Sequence, residues 1–132
     1  MDGSRTIEGV EIDSYTAAPL QLHKSLLVNA APNEVFDTLA NHTAMPEWFP
    51  GMTATRVNCD QAETEGGAGT VRYCAFGEQE MTEDIVLFQA PNHLAYAIRD
   101  GNFMGLKDHF ALITVTPQKE GSLVSWYQFF NH

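Results

Sequence analysis

Residues 31–51, APNEVFDTLANHTAMPEWFPG, decide the fold, because they form the one convincingly helical stretch in a chain of successive β-strands. Pro32 suits the first turn of a helix, where its missing N–H costs nothing. Apolar side chains at positions i, i+1 and i+4 predict one buried helical face, formed by Val35, Phe36 and Leu39. Residues 41–43 predict a break before a second short helical turn, and Pro50 with Gly51 must end that turn. The sequence therefore predicts two short helices near the start of an otherwise β-rich domain.

Segments rich in β-branched and aromatic residues lie on both sides of these helices, separated by turn residues. We predict one strand before the helices and six after them: Leu20–Val28, Met52–Cys59, Thr70–Phe76, Met81–Gln89, His93–Asp100, Lys107–Pro117 and Ser122–His132. The short connections require mostly antiparallel neighbours, since parallel pairing needs long crossovers. The predicted fold class is thus α+β, with a curled antiparallel sheet. Residues 1–19 are expected to be a partly ordered leader, and residues 20–132 the domain.

Composition and charge disfavour several classes of partner. Seven Lys and Arg residues against seventeen Asp and Glu residues give a net charge of -10, which would repel nucleic acid and anionic membranes. No apolar run approaches the length of a membrane span, so we expect a cytoplasmic protein. The two cysteines, Cys59 and Cys74, are expected to be reduced thiols. The five histidines have no zinc-ligand spacing, so no metal and no cofactor is expected.

Several segments resemble a known family when they are taken in order. They are NAAPNEVFDTLANHTAMPEWFPGM, GTVRY, LAYAI, GLKDH and VSWYQFFNH. From about Leu20 to His132 the chain resembles the polyketide cyclase/dehydrase-like branch of the START/birch-pollen-allergen superfamily, also called SRPBCC. The resemblance implies a helix-grip fold, in which a seven-stranded antiparallel sheet curls around a long C-terminal helix and encloses an apolar cavity. The sequence ends with the seventh strand, so that helix is expected to be absent. The remainder of a longer chain, a partner subunit or tighter curling would then have to cover the concave face.

Hairpin geometry predicts which side chains share a face, because residues paired across a tight turn point the same way. A turn at residues 90–92 pairs Leu87 with Ala95, Ile85 with Ala97, and Glu83 with Arg99. The same alternation places these residues on one face with Arg72, Cys74, Phe76, His109, Ala111, Ile113, Trp126, Gln128 and Phe130. We predict that this face lines the cavity, since it combines apolar walls with a few polar groups, and the resemblance also places Glu83, Arg99 and His109 there. The opposite face is more uniformly apolar, carries Leu94, Tyr96 and Ile98 among others, and is a possible homodimer contact.

Three residues, Glu83, Arg99 and His109, are candidates for catalysis, and Arg72 could assist them as a fixed charge. Glu83 and Arg99 are predicted to form an ion pair in the cavity, where the guanidinium could also bind a ligand oxygen; the alternative is an ordinary exposed salt bridge. His109 is a candidate general acid–base, or else a core or rim histidine that hydrogen-bonds a neighbour. Arg72 could stabilise an enolate or a carboxylate, or could instead pair with Glu83 or Glu80.

The candidate ligand-binding residues are mostly flat or apolar and would form the walls of the cavity. Cys74 is predicted to be a small buried hydrophobe, since nothing in the sequence activates its thiol. For each of the others, core packing is the alternative. The full set is Trp48, Arg72, Cys74, Phe76, Ile85, Leu87, Ala97, Trp126, Gln128 and Phe130.

Three functions are compatible with these features. The chain could bind a hydrophobic small molecule such as a lipid, polyketide or aromatic metabolite, which needs only the cavity. It could be a cofactor-free cyclase, aromatase or dehydratase, which needs Glu83, Arg99 and His109 to converge. It could also be a protein-interaction module of the co-chaperone type. We favour small-molecule binding. A closed pocket that holds Arg99 and His109 would support either of the first two functions, and a filled core with one flat apolar surface would support the third.

Overall fold

The computed structural model describes residues 4–100 and 105–131 and contains a seven-stranded antiparallel sheet. An N-terminal hairpin of β1 (Thr6–Ile7) and β2 (Val10–Glu11) precedes it. The sheet has the order β3-β9-β8-β7-β6-β5-β4. Its strands are β3 (Leu20–Val28), β4 (Ala54–Asn58), β5 (Val71–Phe76), β6 (Gln79–Gln89), β7 (His93–Ile98), β8 (Lys107–Gln118) and β9 (Gly121–Asn131). The prediction of a helix-grip fold with seven strands and two early helices is confirmed, and residues 4–100 and 105–131 contain no long C-terminal helix. His132, predicted to end the last strand, lies outside the described residues.

Helix α1 (Pro32–Ala40) and a 3-10 helix (His42–Glu47) connect the first two strands of this sheet. Pro32 occupies the first turn of α1, as predicted, and Val35, Phe36 and Leu39 are buried against the sheet. The ring of Phe36 meets the ring of Phe88 edge to face at 5.2 Å, which fixes α1 against the concave face. The helices therefore lie across one end of the curled sheet and leave the rest of its concave side open.

A β-bulge in β6 changes the predicted faces. Leu87 pairs with Ala95 as predicted, but the register then shifts, so that Ile85 pairs with Tyr96 and Glu83 with Ile98. The extra residue is Val86, and it inverts the alternation of side chains on one strand relative to the other. The prediction that Leu87, Ala95, Ala97 and Arg99 face the cavity was therefore wrong.

The inverted alternation exchanges two sets of residues between the faces of the sheet. The concave core contains Leu94, Tyr96 and Ile98, which had been assigned to the outer face. Leu87 and Ala95 instead pack in the core on the convex face. The predictions for Arg72, Cys74, Glu83, Ile85, His109, Ala111, Ile113 and Trp126 were correct as to face.

The N-terminal segment covers part of the convex face. Ile12 is fully buried there against Phe110, Phe129 and Leu112. Arg5 ties the segment together, because its guanidinium donates to the carbonyl oxygens of Thr16 and Ala18 and its Nε donates to Asp13. A considerable part of the apolar surface that had suggested a dimer contact is thus covered by the chain's own residues.

Candidate functional site

An apolar trough runs along the concave face between β3, β9 and the two helices. Its larger part is a cavity of about 650 Å³ and its smaller part a cavity of about 270 Å³. The larger part is lined by Lys24, Ser25, Leu26, Val28, Ala30, Glu34, Val35, Thr38, Leu39, Trp48, Val124 and Trp126. The smaller part is lined by Leu22, Lys24, Phe49, Trp126 and Gln128. Together these two parts are called the trough below.

The trough is open to solvent because β3 is an edge strand. Leu22 is 49% exposed and Leu26 is 66% exposed, although both are leucines on the concave side. Adjacent residues of β3 point to opposite faces of the sheet, so Leu27, which is 71% exposed, lies on the convex side. The site is therefore a half-open channel with an apolar lining, and it is not the closed pocket that would have held the predicted catalytic residues.

Trp126 forms the floor of the trough, and its ring is held on two sides. Its indole N–H donates a hydrogen bond of 3.2 Å to the hydroxyl of Tyr96, and the two rings meet edge to face at 6.2 Å. Phe49, from the segment that follows the 3-10 helix, packs edge to face on the other side at 6.4 Å. Trp48 contributes the opposite wall, and its buried indole N–H has no hydrogen-bond partner among the described residues.

A buried polar network lies beneath the trough and is centred on Arg72 and Glu83. The guanidinium of Arg72 donates to Glu83 Oε1 at 2.6 Å from both Nε and Nη2, and both side chains are 3% exposed. Its third nitrogen, Nη1, donates to Nδ1 of His42 at 3.1 Å, and its charge lies 4.9 Å from the Tyr96 ring centroid. The thiol of Cys74 donates to the same Glu83 oxygen at 3.4 Å. Each polar group in the network thus has a partner within the protein.

His42 joins this network to the loop that precedes β5. Its Nδ1 accepts from Arg72, so its Nε2 carries the proton and donates to the carbonyl oxygen of Gly66 at 2.8 Å. Burial lowers the pKa of His42 and the Arg72 charge lowers it further, although the Gly66 bond opposes them. His42 is therefore held neutral. Sequence reasoning missed this residue, since a contact across thirty positions leaves no local pattern.

The same network determines the protonation of its other members. Burial is the largest single effect on Arg72 and opposes its charge, but the Glu83 charge and hydrogen bond, together with Cys74 and Tyr96, raise the pKa of Arg72 overall. Burial, reinforced by the Glu83 charge, raises the pKa of the Cys74 thiol to about 12. The same two causes raise the pKa of Tyr96. Cys74 is thus protonated at neutral pH, which makes it a poor nucleophile.

His109 is also held neutral and fully bonded. The backbone N–H of Ile98 donates to its Nδ1 at 3.0 Å, so the other ring nitrogen carries the proton and donates to Gln128 Oε1 at 3.0 Å. Burial lowers the pKa of His109, against smaller opposing effects of Gln128 and Glu83. Because its only lone pair is already engaged, His109 has no site that can accept a substrate proton in this arrangement.

Arg99 is absent from the site, so the predicted Glu83–Arg99 pair was wrong. Arg99 is 51% exposed at its side chain and forms two hydrogen bonds with Asp84 on the convex side, at 2.9 and 3.0 Å. The bulge at Val86 is the physical reason, because it moves Arg99 opposite Thr82 and onto the outer face. The carboxylate of Glu83 instead takes the Arg72 partner that had been left as an alternative.

The remaining predicted ligand-binding residues divide into three groups. Trp48, Trp126 and Gln128 line the trough. Ile85 is buried in the concave core, and Phe76 and Phe130 are half-buried on the same side, where they pack against Phe49 and His109 respectively. Leu87 and Ala97 lie on the convex side. Among the trough residues that sequence reasoning missed, Lys24 and Leu26 lie on β3, whose composition predicts a strand and gives no sign of a ligand site.

Comparison with known proteins supports this description of the fold. The family described as "Polyketide cyclase / dehydrase and lipid transport" matches residues 19–131. No curated protein gave a significant match.

The described residues contain no helix able to span a membrane, and no cluster of three or more His, Cys, Asp and Glu side chains that could hold a metal ion.

Solved structures give the same result for the fold. A protein from Thermobifida fusca is 24% identical, with a TM-score of 0.68 over 83% of this chain and 72% of that one. The protein XoxI from Bacillus cereus is 22% identical, with a TM-score of 0.67 over 83% and 74%. Norcoclaurine synthase from Thalictrum flavum, solved with dopamine and hydroxybenzaldehyde, is 17% identical, with a TM-score of 0.66 over 98% and 79%. At these identities the likeness is one of fold.

Proposed function

This chain belongs to the polyketide cyclase/dehydrase and lipid transport family, and from that premise we propose that it binds a hydrophobic small molecule in the trough. The observation that carries the proposal is the trough itself. Its larger part, at about 650 Å³, falls within the range of about 300–1,000 Å³ typical of small-molecule sites. Its lining is mainly aliphatic and aromatic, with few polar groups. A lipid, a polyketide or an aromatic metabolite would bury apolar surface there.

The polar residues beneath the trough support binding more than catalysis. An acid–base catalyst must present an exchangeable proton or a free lone pair to the substrate. Arg72 and Glu83 are buried and directed towards each other, His109 is buried between the Ile98 N–H and Gln128, and none of the three lines either part of the trough. Instead, the Arg72 charge packs on the ring of Tyr96, which accepts the Trp126 indole N–H, and His109 donates to Gln128. We therefore assign these residues a structural role and propose that the ligand contacts Trp48, Trp126, Leu22 and Leu26.

Native mass spectrometry of the purified chain, before and after denaturation, tests the proposal directly. A non-covalent adduct that is lost on denaturation is the expected result. Trp48 and Trp126 are the only two tryptophans and both line the trough, so added ligands should also change the intrinsic fluorescence. Absence of any adduct, together with unchanged fluorescence across a panel of fatty acids, alcohols and aromatic compounds, would refute binding in the trough.

Two adjacent leucines provide a matched pair of variants. Leu26→Gln and Leu27→Gln make the same chemical change at neighbouring, similarly exposed positions of β3. Only Leu26 lines the trough, because Leu27 lies on the other face. Weaker ligand binding is expected for Leu26→Gln alone. Equal losses in both variants would place the binding surface on the strand edge and would contradict a site in the trough.

A further inference from the structure

Lys24 occupies the point where the two parts of the trough meet. It lines both cavities, and so does its cross-strand partner Trp126, whereas every other lining residue belongs to one part only. A ligand that extends from one part into the other must therefore pass beside this lysine. The side chain brings a strongly hydrated ammonium group to an otherwise apolar channel, where an anion is its natural partner.

Lys24 is free to take such a partner. The four arginines of the chain each form an ion pair with a carboxylate: Arg5 with Asp13, Arg56 with Glu80, Arg72 with Glu83 and Arg99 with Asp84. In the described part of the chain, Lys24 has neither an ion pair nor a side-chain hydrogen bond, although acidic residues outnumber basic ones by seventeen to seven. The cation in the trough is thus left unneutralised by the protein.

Gln128 adds a second donor to the smaller part of the trough. Its amide oxygen accepts the proton of His109 Nε2, and that histidine is fixed in this tautomer by the backbone N–H of Ile98. The amide of Gln128 therefore cannot flip without losing its bond to His109. Its nitrogen is consequently held away from His109, and within residues 4–100 and 105–131 it has no acceptor. His109 acts here as a positioning residue for a hydrogen-bond donor.

We propose that the ligand of the trough is an amphiphilic carboxylic acid whose carboxylate binds in the smaller part, between the Lys24 ammonium group and the Gln128 amide nitrogen. This inference rests on the proposed function and specifies the class of ligand. A carboxylate has acceptor positions for both donors and a charge opposite to that of Lys24. Its apolar body crosses Trp126 and fills the larger part, among Val28, Val35 and Leu39.

An acidic residue in the larger part of the trough favours the same orientation. Glu34, on the first turn of α1, lines the larger part and would repel a carboxylate placed there. The reversed ligand would also leave the Gln128 amide, which lines only the smaller part, facing apolar surface. The acid group is therefore directed to the part that presents both donors, and the hydrocarbon to the part that presents Glu34 and many apolar side chains.

The test compares dodecanoate with dodecanol, which have the same chain length and differ in the head group. Both are titrated below their aggregation limits at pH 7.5, with tryptophan fluorescence and calorimetry as readouts. Wild-type protein is expected to bind dodecanoate about fivefold more tightly than dodecanol, the scale of an exposed ion pair. Lys24→Met should abolish the preference for dodecanoate, and Lys24→Arg should keep it. Lys119→Met is the control, because it removes the same charge from the turn between β8 and β9, and it should leave the preference unchanged.

The outcomes separate this inference from the proposed function. Binding of both probes with equal affinity, unchanged in Lys24→Met, would overturn the carboxylate site while leaving a hydrophobic trough. Binding of neither probe would overturn both. A preference for dodecanoate that is lost equally in Lys119→Met and Lys24→Met would indicate a general effect of protein charge and would also overturn the assignment. Gln128→Leu gives a second readout, since it should weaken dodecanoate binding and leave dodecanol binding nearly unchanged.

Discussion

The buried ion pair of Arg72 and Glu83 gives the sharpest quantitative prediction. Both side chains are 3% exposed, so removing one partner leaves an uncompensated charge in the core. Arg72→Met and Glu83→Met should each lower the free energy of unfolding by about 3–5 kcal/mol. A domain of this kind has about 5–15 kcal/mol in total, so either single change removes a large fraction of its stability.

The double variant Arg72→Met/Glu83→Met should be far more stable than the sum of the single changes implies. With both charges gone, two apolar side chains replace the pair, which is often close to neutral. The remaining cost is the lost donor to His42 Nδ1, a buried acceptor worth about 1–3 kcal/mol. The sum of the single effects is about 6–10 kcal/mol, so the coupling between the two sites should amount to several kcal/mol.

Urea unfolding followed by circular dichroism measures all four proteins of this cycle. Arg99→Met is the matched control, because it breaks an exposed Arg–Asp pair on the same sheet and should cost at most about 1 kcal/mol. If either single variant fails to fold while the double variant folds, the same coupling is demonstrated. Single losses below about 1 kcal/mol, or a double variant equal to the sum of the two, would refute the account of the network.

Three further predictions concern protonation, thiol reactivity and the N-terminal segment. Because burial lowers the pKa of His42 and His109 in the folded chain, the unfolded chain takes up protons first as the pH falls through about 6.5. The free energy of unfolding should therefore decrease as the pH falls below that value, and less steeply in His109→Gln, as measured by urea unfolding at each pH. Because burial raises the pKa of the Cys74 thiol to about 12, this thiol should not react with a maleimide reagent at pH 7 until the chain is unfolded. The partly exposed Cys59 should react in the native state. Reaction of both cysteines in the native state would contradict the burial of Cys74. Ile12→Ala should cost about 2–5 kcal/mol in a urea titration, since Ile12 is fully buried on the convex face; a loss below about 0.5 kcal/mol would mean that the segment is not held there.

The order of the seven sheet strands and the two helices between the first two of them could be predicted because each of these elements has a local signal, whereas the short N-terminal hairpin was not predicted. Pro32 and the apolar spacing of Val35, Phe36 and Leu39 indicate α1, and alternating strand composition with short turns indicates an antiparallel sheet. The turn at residues 90–92 also gave the correct first pair, Leu87 with Ala95. These features depend on neighbours within a few positions, which is the range over which a sequence pattern is informative.

The faces of β7 and of the part of β6 beyond Val86 could not be predicted, because a single inserted residue reverses them. Val86 has the same β-branched, apolar character as a regular strand residue, so composition gives no sign of the bulge. Its consequence is large: Arg99 moves to the convex side, and Tyr96 enters the concave core beside Arg72. An error of one position in the register thus replaced the true partner of Glu83 with a false one.

The polar network and the trough depend on each other through two side chains. Tyr96 lies under the Arg72 charge and accepts the indole N–H of Trp126, while His109 holds the Gln128 amide. Trp126 and Gln128 are in turn the floor of the trough. Buried charges are costly, so their presence here needs a reason beyond stability. Because Arg72 packs on Tyr96, which holds Trp126, and His109 orients Gln128, we infer that these buried polar groups preorganise the binding surface and act on a ligand only through the side chains they hold.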